Sequence, residues 1–227
     1  MKDKQITIEQ AVKKIPSGAT IMINGFMGCG NPHALIDELA ASDIHDLTVI
    51  SNDASMPGGP KGEEFYGIAK LVHNKQIKTL IASHVGLNPE VAQQMNNHEL
   101  EVILVPQGSF VEMIRAGGSG LGGIITPTGV GTVIEEQSYT VGKTEIDGKE
   151  YLIQRPLKAD FALLSGYQVD QAGNVWYKGT TRTFGPSMAM AAKQVMVEAE
   201  HLVSQIEPEN VMTPGVLIDY VIKGGLQ

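Results

Sequence analysis

Between residues 20 and 105 the chain repeats one pattern. A short unbroken apolar run is followed by turn residues and then by a segment with helical spacing. The apolar runs are Thr20-Ile21-Met22-Ile23-Asn24, Leu47–Ser51, Lys78–Ser83 and Glu101–Val105. A strand that is apolar at nearly every position, rather than at alternate ones, is buried on both faces. Helices between such strands provide the crossovers that parallel neighbours need. The pattern predicts an α/β fold: a mostly parallel open sheet with helices on both faces.

Several helices are legible from their ends. Thr7 followed by Gln10 is a capping-box pattern, and Pro16-Ser17-Gly18 closes the helix that it opens. Asn31-Pro32 reads as an N-cap with proline at the first helical position, starting a helix that runs to Ala41. Further helices are expected over Glu63–His73, Pro89–Asn96 and Ser109–Ala116. Over Thr140–Arg155 the texture changes to a polar hairpin turning at Asp147-Gly148. Sheet character returns at Asp160–Gly166 and Gln194–Val203. No repeat or low-complexity linker divides the 227 residues, so a single domain, 1–227, with a β-hairpin excursion is expected.

Charge narrows the function classes. With 17 Lys+Arg against 25 Asp+Glu, the net charge is −8 and no basic cluster exists to displace the counterions of a nucleic acid. Two uncharged stretches, Ile15–Ile36 and Ala116–Ile134, are too broken by glycine and proline to read as membrane spans. The lone cysteine, Cys29, allows no internal disulfide, and Met1-Lys2-Asp3-Lys4-Gln5 lacks the apolar core of a signal peptide. Both fit a cytoplasmic protein. The histidines (33, 45, 73, 84, 98 and 201) show no metal-ligand spacing, and no metal is expected.

In open parallel sheets, ligands bind where strands end and loops begin. Here the first such loop is Asn24-Gly25-Phe26-Met27-Gly28-Cys29-Gly30-Asn31-Pro32. It lacks the third glycine of a dinucleotide fingerprint and the Lys-Ser/Thr of a P-loop. Two readings stay open: a tight turn, or bare N–H groups facing an anionic or carbonyl-rich ligand. The glycines between Gly108 and Gly131 are likewise either a floppy loop or an ordered one in close approach. Glu63-Glu64 and Glu135-Glu136 read as solvated charge, and no Gly-x-Ser-x-Gly elbow occurs. An oxidoreductase with a degenerate nucleotide loop would place Asp53 on the ribose. A non-catalytic module sensing CoA or a sugar phosphate is the other alternative.

Taken in order, the segments resemble family I coenzyme A transferases. Those that carry the likeness are Thr20–Pro32, Val105-Pro106-Gln107-Gly108, Arg115-Ala116-Gly117-Gly118, Thr126–Thr132, Ala159–Leu163, Gly173–Arg182 and Val211–Gly215. The chain is most similar to the alpha subunits of the acetate, butyrate–acetoacetate and 3-oxoacid types. The resemblance implies transfer of CoA between an acyl-CoA and a short-chain carboxylate, through an acyl anhydride and then a thioester on a glutamate. That glutamate lies in a Glu-x-Gly context on a beta subunit, and no glutamate here is followed by glycine two positions later. The resemblance further implies CoA as substrate with no tightly bound cofactor, and an assembly of two alpha and two beta chains. It makes Asn24, Gly25, Phe26, Met27, Gly28, Cys29 and Gly30 the CoA-binding loop, and Gln107 part of an oxyanion hole. The glycines from Gly117 to Gly131 are expected at the subunit boundary. One departure is Asn24-Gly25-Phe26 where the family usually has Gly-Gly-Phe. Asn24 therefore replaces a glycine needed either for positive φ or for close approach of the ligand.

Overall fold

The computed structural model describes residues 4–224; Met1, Lys2 and Asp3 of the charged start lie outside them. The apolar runs form β2, β3, β4 and β5 of a chain that begins β1 (Gln5–Ile6), α1 (Ile8–Val12), β2 (Thr20–Ile23), α2 (His33–Ala40), β3 (Leu47–Ile50), α3 (Ala69–His73), β4 (Ile77–Ala82), α4 (Pro89–Asn96), β5 (Glu101–Leu104) and α5 (Gln107–Gly118). A three-stranded sheet follows from β6 (Ile124–Thr126), β7 (Thr140–Ile146) and β8 (Lys149–Gln154). The chain then re-enters the main sheet with β9 (Ala159–Asp170), β10 (Val175–Trp176), α6 (Gly185–Ala191), β11 (Ala192–Val203) and β12 (Tyr220–Lys223).

The main sheet has the order β1-β12-β11-β9-β2-β3-β4-β5, all parallel, with β10 antiparallel on β9. The strands at the centre of the sheet feed two cores. Ile21 and Ile23 face the layer of α1 to α4, while Met22 faces the layer of α5 and α6. Phe161 and Leu163 on β9 alternate in the same way with Ala162 and Leu164. Burying each large side chain contributes about 1.5–3 kcal/mol. The expected sheet with helices on both faces is what these residues build.

The sheet grows to one side of β2 through β3, β4 and β5, then to the other through β9, β11 and β12. The switch point therefore lies between β2 and β9, and the loop after β2 opens there. The expected hairpin is β7–β8, where Asp147 and Gly148 have φ of 52° and 76° in a two-residue turn. β6 completes its sheet by pairing with β8.

Three expectations are corrected. The helix expected over Glu63–His73 is helical only from Ala69, because Gly67 has φ of 55°, outside the right-handed region. The glycines after Gly108 do not form one loop: Gly117 and Gly118 lie in the last turn of α5. There Gly117 lets the Leu157 carbonyl approach so closely that a Cβ would sit 1.9 Å from it. Asn31 does not cap α2, whose cap position is Pro32. Its side chain is drawn inward, donating to the Asn24 carbonyl at 2.6 Å.

The start of α2 is capped from across the fold. The buried Glu198 of β11 accepts the Leu35 N–H at 2.9 Å and also bonds the Ala34 backbone. Burial pushes its carboxyl above the ordinary range, against the pull of those bonds. Glu198→Ala should therefore lower stability by about 1–3 kcal/mol, the cost of leaving buried donors unsatisfied. Glu198→Gln, which keeps an acceptor without a buried charge, should unfold near the parent in a urea titration.

Candidate active site

Past Ile23 the chain leaves the sheet, and three consecutive side chains after β3 take over its backbone. Ser51 Oγ donates to the Ile23 carbonyl at 3.0 Å, and Asn52 Nδ2 donates to the Gly25 carbonyl at 2.7 Å. Asp53 Oδ2 accepts the Met27 N–H at 2.8 Å. All three side chains are buried. The tip is a tight turn closed by reciprocal Phe26 and Cys29 backbone bonds of 2.9 Å, with Met27 at φ 51° and Gly28 at φ 83°. A Cβ on Gly28 would lie 2.0 Å from the Tyr66 ring, and one on Gly30 would lie 2.6 Å from the Thr181 carbonyl. Those glycines are required by the loop's own packing. The amides of Gly28 and Gly30 have no hydrogen-bond partner among the described residues.

On the inner side, Asn24 is fully buried and is not at positive φ. Its Nδ2 donates to the carbonyls of Gly30 at 3.3 Å and Thr181 at 3.2 Å, and its Oδ1 accepts the Thr183 hydroxyl. Thr183 Oγ1 also accepts the Gly25 N–H at 3.3 Å. Asn24 thus fastens the loop to the segment before α6. His33 Nε2 lies 2.9 Å from the Gly28 carbonyl, which can only accept, so the ring nitrogen donates.

Beside the loop opens a cavity of about 260 Å³ lined by Phe26, Cys29, Asn52, Gln107, Thr180, Thr183 and Phe184. No charged side chain lines it. Gln107 is the first residue of α5, at the carboxyl end of β5, and its Nε2 donates to Asn52 Oδ1 at 2.8 Å. A second cavity of about 300 Å³ lies on the Gly28–Gly30 side, with His33, Tyr66, Lys178 and Glu200 among its walls. The arrangement suits a neutral, polarisable group beside Gln107 and an anionic or carbonyl-rich one along the loop amides.

The coenzyme A transferase family profile matches residues 5–224. The chain belongs to the coenzyme A transferase family. It is 52% identical to the acetoacetyl-CoA:acetate/butyrate CoA transferase alpha subunit of Clostridium acetobutylicum, over 98% of this chain and 99% of that one. It is 43% identical to the acetate CoA-transferase subunit alpha of Escherichia coli K12, over 98% and 97%. The fold matches an acyl-CoA transferase apoenzyme from Escherichia coli O157:H7 with a TM-score of 0.85 at 23% identity, covering 98% of this chain and 47% of that one. The chain thus spans about half of that solved chain, and it is a CoA-transferase chain of the alpha-subunit kind.

Within this CoA-transferase chain, the residues Asn24 to Gly30 and Gln107 come together at one end of the sheet. Phe26 and Cys29 are exposed; Asn24, Gly25 and Gly28 are buried. Asp53 is turned onto the loop and its own turn: its Oδ2 accepts the Met27 N–H, and its Oδ1 accepts the Ser55 N–H at 2.6 Å. Sequence reasoning did not find Ser51, Asn52, Thr183 or Phe184. The signal available for the first two was a polar Ser-Asn-Asp run directly after an apolar strand. Among the described residues, no group of three or more His, Cys, Asp or Glu is arranged to hold a metal ion. Nor is any helix among them long and apolar enough to cross a membrane.

Burial holds the His33 imidazole below its ordinary value, opposed by the bond to the Gly28 carbonyl. Its stabilising contribution is therefore complete above the usual histidine range, about 6.5, and is lost as pH falls through the lower folded value. Unfolding free energy should fall more steeply between about pH 7 and pH 5 in the parent than in His33→Gln, by at most about 1.4 kcal/mol per pH unit. Equal slopes in a pH series of urea titrations would refute this.

Proposed function

We propose that this chain is the alpha subunit of a cytoplasmic CoA-transferase that exchanges CoA between short-chain acyl-CoA and free carboxylates. A beta subunit supplies the nucleophile, in an assembly of two alpha and two beta chains. The observation that carries the reading is the Gln107 amide opening on a small cavity without charged walls, beside a loop with unpaired amides.

The chemistry is the one that membership of the family implies. A partner glutamate carboxylate attacks the thioester carbon, the thioester oxygen takes up negative charge, and the C–S bond breaks to release CoA thiolate and an acyl–glutamyl anhydride. The thiolate attacks the glutamyl carbonyl, releasing the carboxylate and leaving a glutamyl-CoA thioester. The incoming acid reverses the two steps. One thioester is exchanged for another, so no nucleotide is consumed. An N–H of Gln107 is placed to stabilise the developing oxyanion, and one such donor is worth about 2.7–4 kcal/mol in other acyl-transfer enzymes. A cavity without a cation suits acetyl, butyryl and acetoacetyl tails and disfavours a tail ending in a second carboxylate, which would be desolvated without a partner. Asn24, Gly25, Phe26, Met27, Gly28, Cys29 and Gly30 form the CoA-binding loop, through the Gly28 and Gly30 amides.

The test is expression with and without the beta subunit. The complex should transfer CoA from butyryl-CoA to acetate much faster than to succinate, and Gln107→Ala should lower kcat about 10²–10³-fold. Full transfer by the isolated chain would remove the divided-site reading.

A further inference from the structure

We infer that Asn52 is the positioning residue for Gln107, and that one backbone carbonyl sets the orientation of both amides. The inference rests on the proposed role of Gln107 as an oxyanion donor. A side-chain amide presents either oxygen or nitrogen to a neighbour, and its partners decide which. The Gly25 carbonyl can only accept, so the Asn52 group 2.7 Å from it is the nitrogen. That turns Asn52 Oδ1 toward Gln107. Facing an acceptor at 2.8 Å, Gln107 must in turn present Nε2.

The consequence is chemical. The Gln107 nitrogen carries two N–H groups; one is spent on Asn52 and the other is left unspent on a residue that lines the cavity. Were the amide reversed, Oε1 would meet Asn52 Oδ1, and the donor needed by the thioester oxygen would point elsewhere. Gln107 is exposed and makes no other side-chain hydrogen bond among the described residues, so nothing else fixes its rotamer. Asn52 is the opposite: it is 1% exposed, and its backbone carbonyl accepts both the N–H and the hydroxyl of Ser83, at 3.0 and 2.8 Å. Neither flanking residue can replace it, since Ser51 is bound to Ile23 and Asp53 to Met27 and Ser55. The relay runs from the glycine loop, through a buried amide, to the exposed one that touches substrate. It ties the loop that holds CoA to the donor that polarises its thioester.

The experiment is a double-mutant cycle in the alpha–beta complex, reading kcat and KM for butyryl-CoA with acetate. Asn52→Ala should lower kcat about 10–100-fold, the scale of a misplaced catalytic group, with KM changed by less than about threefold. In a Gln107→Ala background the same change should alter kcat by less than about threefold, because the group it positions is gone. If Asn52→Ala does not assemble, Asn52→Ser takes its place in the cycle. Equal losses in both backgrounds, or a rise in KM alone, would overturn the positioning role while leaving that of Gln107 intact. An unimpaired Gln107→Ala would overturn both.

Discussion

The site depends on how the backbone beyond β2 is satisfied. A parallel strand that ends inside a sheet leaves its next carbonyls and amides without ladder partners, and each one buried unpaired costs about 1–3 kcal/mol. Here the continuation of β3 meets that cost with side chains: Ser51, Asn52 and Asp53 bond to residues 23, 25 and 27 in turn. Every second residue of the extended loop is thereby tied down. Its far side is held independently, by Asn24 bonding across to Gly30, Thr181 and Thr183. A glycine-rich segment that would otherwise lose the most entropy on ordering is fixed when the chain folds. Ligand binding then need not supply the ordering free energy.

The same backbone path accounts for the glycines. The structure shows the tight turn, and the cradle of bare amides belongs to the proposed function. The turn at Met27-Gly28 and the contacts of Gly28 with Tyr66 and of Gly30 with Thr181 demand residues without a Cβ. That same geometry leaves the Gly28 and Gly30 N–H groups without internal partners. Packing and the unpaired donors are consequences of one backbone path.

Much of the fold was legible because the signals were local. Unbroken apolar runs announced the parallel strands, and Asp147-Gly148 announced the hairpin turn. What was not legible was decided by distant contacts. Nothing near α2 reveals that Glu198, some 160 positions on in the chain, caps its start at Leu35. Nothing near Gly117 reveals the Leu157 carbonyl that keeps a glycine at a helix end. The site divided in the same way: the loop after β2 and Gln107 were found by motif and resemblance. Asn52 was invisible, because an asparagine after a strand looks like any turn residue until its neighbours are known. The Gly-to-Asn departure at position 24 was read as a question of φ or of ligand approach. The structure answers differently, with a buried amide that joins two segments.

The distribution of acids explains why a divided enzyme is physically coherent. An anhydride mechanism needs a carboxylate with access to the thioester carbon, yet that carboxylate must not sit beside the oxygen that becomes negative. Of the acids about the loop, Asp53 is committed to the Met27 and Ser55 amides and Glu198 to the start of α2, while Glu200 stands in the wall of the second cavity, which Gln107 does not line. The cavity at Gln107 carries none. Its walls offer a donor and aromatic surface, which favour a neutral thioester and stabilise an oxyanion. A free carboxylate placed among the same residues would repel that oxyanion and would compete for the Gln107 N–H. Nucleophile and oxyanion donor are better delivered from opposite sides of the carbonyl, and putting them on separate polypeptides is one way to hold them apart until substrate lies between.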